Sequence, residues 1–153
     1  MEKFFKYLTF SLFAALIVFA SCGGDDDDDN NDDSGPDALD LVVEDLIGST
    51  WVLTEGGATL ESVGVEGWDG FTITITGDRN SLSYNTSNSA DPAVWPTSGT
   101  WSFIGDDGRK VERSDMIEID VTASDTNLTL GFDIVEGRTN GIVGRWSFRM
   151  EAQ

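Results

Sequence analysis

"GFTITITG", residues 70–77, sets Phe71, Ile73 and Ile75 against Thr72, Thr74 and Thr76. Strict alternation places every apolar side chain on one face, as in a strand with one buried and one wet side. Three other stretches repeat the pattern. "NLTLGFDIV" (127–135) offers Leu128, Leu130, Phe132 and Ile134. "MIEIDVT" (116–122) offers Ile117, Ile119 and Val121, and "RWSFRM" (145–150) offers Trp146, Phe148 and Met150. Shorter candidates are Trp51 to Thr54, Ala58 to Val65, Ser81 to Tyr84 and Gly99 to Ile104. Gly77-Asp78, Asp106-Asp107-Gly108 and Glu136-Gly137 mark turns between them. About eight short strands at hairpin spacing predict an all-β fold, a small antiparallel barrel or sandwich.

One segment breaks the period. "DALDLVVEDLI" (37–47) carries Leu39, Val42, Val43, Leu46 and Ile47 at helical spacing, and Gly48 ends it. A short amphipathic helix therefore precedes the strands. Besides the residues named above, Trp51, Leu53, Leu82, Tyr84, Trp101 and Phe103 are expected to point inward. An eight-stranded barrel either fills its interior with side chains or leaves room for one small ligand. Such aromatic bulk favours filling, because each ring buries roughly 150–250 Å².

The chain before residue 37 is of another kind. Lys3 and Lys6 precede an apolar run from Tyr7 to Ala20, too short to span a bilayer. Residues 1–21 read as a secretory signal peptide. Cys22 is the only cysteine of the 153 residues. Behind it, Asp25 to Asp29, Asp32 and Asp33 form a run that repels itself and contains nothing apolar, so residues 22–36 read as a solvated tether. Residues 37–153 then make one domain.

Charge and composition exclude several functions. Removing Glu2, Lys3 and Lys6 takes the net charge from −19 to −20, and residues 46–153 alone hold 16 Asp and Glu against 7 Lys and Arg, or −9. Nucleic-acid binding needs clustered basic residues to neutralise phosphates. Here Arg109, Lys110 and Arg113 stand among Asp106, Asp107, Glu112 and Asp115. There is no histidine, and the chain downstream of Cys22 has no thiol, so the usual nucleophilic triads cannot be built. No EF-hand, P-loop or dinucleotide-binding glycine pattern occurs. No catalytic residue, cofactor or metal site is expected. The remaining enzymatic alternative is a carboxylate-based glycoside hydrolase drawing on acids such as Glu66, Asp69, Asp91 and Glu118.

Two tryptophans lie between the expected strands. Trp68 stands beside Asp69 in "GVEGWDGF", and Trp95 follows Asp91 in "SADPAVWPTSG". An aromatic face beside a carboxylate suits a glycan, which stacks on the ring and donates its hydroxyls to the acid. Trp68, Asp69, Asp91 and Trp95 are therefore candidate ligand-binding residues. The alternative is that each ring folds back and plugs the barrel.

Three resemblances extend this reading. Phe19-Ala20-Ser21-Cys22 resembles the lipobox of bacterial lipoproteins, which implies lipidation of Cys22 and attachment to the membrane through that anchor. The acidic run behind it is similar to the export signal of surface-exposed lipoproteins of the Bacteroidetes, which implies the outer face of the outer membrane. "LIGSTWVL" (46–53), "VWPTSGTWSF" (94–103) and "GRTNGIVGRWSFRM" (137–150) resemble small lipocalin-like lipoprotein domains. Lipocalins usually show Gly-x-Trp, whereas Gly48 and Trp51 are one residue further apart. The resemblance implies an up-and-down barrel. It fits a non-enzymatic binding or accessory module for a small hydrophobic or glycan ligand. A filled barrel docking on an envelope protein complex is the alternative.

Overall fold

The computed structural model describes residues 37–135 and 142–153. The expected signal peptide, Cys22, the acidic tether and the Glu136-Gly137 turn lie outside the described residues.

Helix α1 (Ala38–Ile47) comes first, then nine strands: β1 (Thr50–Leu60), β2 (Val63–Gly64), β3 (Thr72–Asp78), β4 (Ser81–Ser87), β5 (Ser98–Phe103), β6 (Lys110–Arg113), β7 (Glu118–Ala123), β8 (Asn127–Ile134) and β9 (Gly144–Ala152). From β3 to β9 each strand pairs antiparallel with the next, and β1 bonds both β3 and β9. The sheet thus closes as an eight-stranded up-and-down barrel, with β2 an extra strand hydrogen-bonded to β1 alone. Closure removes the long unpaired edges that invite aggregation.

The period-two residues face the interior as the alternation predicts. Ile73 pairs across β1 with Trp51, Ile75 across β4 with Tyr84, and Leu130 across β9 with Phe148, all buried. Two expected inward residues are only half-buried. Leu53 borders a register shift between Leu53 and Ala58, where a bulge turns β1, and Phe103 ends β5 at the barrel rim. That bulge also joins Trp51 to Thr54 and Ala58 to Leu60 into one bent strand, so the expected second strand shrinks to Val63–Gly64. Gly77 and Asp78 end β3, and the turn itself falls on Arg79 and Asn80. Strand β6 escapes the periodicity reading: in Lys110–Arg113 only Val111 is apolar, and the inward partner two residues on is an arginine.

The two ends of the barrel are closed differently. At one end α1 packs against β3 and β7, burying Leu39, Val43 and Leu46. Asp37 caps its N-terminus by accepting from the Asp40 N–H at 2.9 Å, and Arg79 of the β3–β4 turn pairs with Asp37 at 2.8 Å and with Asp40 at 3.2 Å. Gly108 of the β5–β6 loop adopts φ +67, and a Cβ there would meet the Cβ of Val42 at 2.9 Å, so glycine alone lets the helix lie this close. Trp51 Nε1 donates to Leu46 O at 3.0 Å, tying the helix to the first strand. The opposite end is closed by the chain segments that carry Trp68 and Trp95.

Candidate functional site

That second end is built from the β1–β2 hairpin and the loops at 65–71, 88–97 and 114–117. Trp68 and Trp95 both turn inward, with exposures of 3% and 0%. Neither ring offers a face to solvent, so neither is a surface stacking platform; both are plugs. Trp68 meets Phe71, Trp146 and Phe148 at centroid distances of 5.3, 5.8 and 4.9 Å. Trp95 meets Phe71, Tyr84, Trp101, Phe132 and Phe148 at 5.4 to 6.4 Å. Most of these contacts are edge-on or tilted, the arrangement that the ring quadrupole prefers. The interlocking rings leave the barrel axis filled.

The local chain explains why Trp95 sits there. Asp91 Oδ1 accepts from the Ala93 N–H at 2.8 Å, and its carbonyl accepts from the N–H groups of Val94 and Trp95 at 3.0 and 2.9 Å. This compact turn aims Val94 and Trp95 into the barrel. Ser89 Oγ donates to Trp95 O at 2.8 Å, and Thr86 Oγ1 donates to Pro96 O at 3.0 Å. The neighbouring loop is tied in through Asn88 Nδ2, which donates to Gly70 O at 2.9 Å. Asp91 is thus a half-buried turn-former and Asp69 is exposed, and the structure does not combine either with an open aromatic face.

Beneath the plug lies a residue that sequence reasoning missed. Arg113 is 1% exposed, with its guanidinium 5.1 Å from the Trp95 ring centroid and 5.5 Å from that of Phe132. Nη1 donates to Val94 O, while Nε and Nη2 donate to the two carboxylate oxygens of Asp115, all at 2.8 Å. A buried cation needs such pairing to be tolerated. Arg113 thereby clamps the plug from below. The only signal in the sequence was the "RSD" spacing, which reads equally well as exposed charge.

Tyr84 lies across from Gly99, where an added Cβ would come within 2.8 Å of the ring, so glycine makes room for it. Burial pushes the Tyr84 phenol up from its ordinary pKa. Its hydroxyl and the indole nitrogens of Trp95, Trp101 and Trp146 are buried without a hydrogen-bond partner among the described residues.

Clefts lined by described residues include the following four. One of about 280 Å³ lies on the outer wall over β6–β9. There Lys110 pairs with Glu118 at 3.2 Å and Asp120 at 3.8 Å, while Arg145 pairs with Asp133 at 2.8 Å and with Asp120. Others of about 560 and 530 Å³ flank α1. In the latter, Asp45 faces Asp125, and desolvation with the hydrogen bond and charge of Asp125 raises the Asp45 carboxyl above its ordinary pKa. The smallest, about 110 Å³, lies beside the β1 bulge and is lined by Glu55, Trp68 and Asp69 among others. Among the described residues no group of three or more His, Cys, Asp or Glu is placed to hold a metal ion. None of their helices is long and apolar enough to cross a membrane.

Comparison with protein-family models, with curated proteins and with solved structures gave no match to this chain.

Proposed function

We propose that this protein is a lipoprotein, anchored through Cys22 and displayed on the outer face of the outer membrane. Its barrel then acts without catalysis, as an interaction or accessory module that works through its outer surface. The lipobox-like Phe19-Ala20-Ser21-Cys22 and the aspartates behind it support the location. The observation that carries the mode of action is the interior. Trp95 is wholly buried among five aromatic partners, where a calyx would need open volume. This favours docking on an envelope complex over enclosing a ligand.

A second reading has one observation behind it. The four unpartnered donors of Tyr84, Trp95, Trp101 and Trp146 are what a small acceptor-bearing ligand in the barrel would satisfy. Native mass spectrometry of the gently purified chain, compared with the same sample denatured, separates the two. A solid scaffold gives the bare polypeptide mass in both. Additional mass that disappears on denaturation would replace the docking reading with ligand binding.

A further inference from the structure

The barrel end opposite α1 carries the most exposed large apolar side chains of the described residues: Met116 at 75%, Val63 at 69% and Val135 at 63%, with Val143 at 40% beside them. Their placement follows from the topology. Met116 is in the β6–β7 turn, Val135 follows β8, Val143 precedes β9, and Val63 lies on β2 against β1. Since β7, β8, β9 and β1 are consecutive around the barrel, these four side chains fall on one arc of the rim. Met116 and Val135 also border the same 280 Å³ wall cleft. Solvent-exposed apolar residues scattered singly need no explanation, but an arc of them at one end does.

Among the described residues the charge around this arc is one-sided. Glu61, Glu66, Asp69 and Asp91 lie at the same end and make no ion pair among the described residues. The described cations that reach it are already engaged: Arg113 is buried on Asp115, Arg145 is held by Asp120 and Asp133, and Lys110 by Glu118. Met116 holds φ +66, a left-handed conformation, at this tight turn. Although Glu61 Oε1 accepts from the Arg145 backbone N–H at 2.6 Å, no described cation neutralises these carboxylates, so the rim repels an anionic lipid surface and attracts a chain that alternates apolar and basic residues.

We propose that this rim is a docking surface for a basic, amphipathic polypeptide segment of a partner protein. Its apolar residues cover Met116, Val135 and Val63, and its lysines or arginines meet Glu61, Glu66 and Asp69. The inference rests on the solid-barrel reading and names its working face.

The test titrates the full-length chain against a dye-labelled peptide of leucine and lysine in amphipathic helical order. A leucine–glutamate peptide of equal length and vesicles of phosphatidylglycerol are the comparison probes. Three variants accompany it: Met116→Ser with Val135→Ser, Glu66→Gln with Asp69→Asn, and Asp25 to Asp29 all →Ser. Met116, Val135, Glu66 and Asp69 are exposed, so thermal melts of the first two variants should match that of the parent. The expected result is salt-sensitive binding of the lysine peptide, weakened about tenfold by each rim variant and unchanged by the tether variant. Four results overturn the proposal: binding lost only with the tether aspartates, equal binding of the glutamate peptide, rim-dependent binding of the vesicles, or no peptide binding up to about 1 mM. Native mass spectra of the same sample keep the two readings apart. Ligand mass in the barrel overturns the solid-scaffold reading and this inference with it; absent peptide binding without ligand mass overturns this inference alone.

Discussion

Arg113 shows how much one side chain organises. Its guanidinium lies beneath Trp95, holds the carbonyl of Val94 and grips Asp115 through two parallel hydrogen bonds. Removing the carboxylate leaves a buried charge half-compensated, whereas removing both charges does not. Asp115→Ala should therefore cost about 2–4 kcal/mol of unfolding free energy, less than for a fully buried pair because Asp115 is partly open to water. Adding Arg113→Met to it should recover part of that loss in the same urea titration. A double variant as unstable as the sum of two independent losses would contradict the clamp. This residue was not legible in the sequence, because an arginine in a run of alternating charges looks the same whether it faces in or out. Trp68 and Trp95 were legible as special, but the choice between platform and plug was not. That choice depends on which way the local Asp91 turn faces, and the Asn88–Gly70 bond fixes this by tying its loop to a separate segment of the chain.

At the scale of elements, α1 is held by opposite electrostatic effects at its two ends. The Asp40 N–H and then Arg79 hold the Asp37 carboxyl below its ordinary pKa of 3.8. Its contribution is present above that value and is lost as pH falls through the lowered one. Asp45, in the last turn of the helix, is shifted the other way, by desolvation first and then by Asp125. Charging a carboxyl whose folded pKa is raised weakens the fold, so this penalty appears as pH rises above 3.8 and persists at neutrality. Asp45→Asn should raise the melting temperature at pH 7 by a few degrees, about what 0.5–1 kcal/mol gives in a small domain. The gain should vanish in melts taken below pH 3.8. A gain independent of pH would assign the effect to helix propensity instead. Among the strands, those with period-two alternation were found from sequence and β6 was not. Four residues with a single outright apolar member carry too little pattern, and β6 exists because β5 and β7 pair with it on either side.

For the molecule as a whole, the expected mode of attachment yields a direct experiment. Cys22→Ala removes the only thiol that lipid could modify. A chain held by two or more acyl groups stays on membranes, whereas an unmodified one does not. Fractionation of cells producing Cys22→Ala should find the protein released from the membrane, while the variant's barrel melts as the parent does. Continued stable membrane association would sink the lipoprotein assignment.

Read alone, the sequence determined the all-β class, the helix ahead of it, most of the interior and the exclusion of imidazole chemistry. These rest on local pattern and composition, which need no knowledge of neighbours in space. Only the tertiary structure decided that the barrel closes through β1 and β9, that Trp68 and Trp95 fill it, and that Arg113 is buried beneath them. It also gathered Met116, Val135, Val143 and Val63 on one rim, although some 80 positions separate the first from the last of them in the chain. The reason is physical: alternation tells each strand which face is wet, but closure, plugging and patch formation are properties of which strands become neighbours.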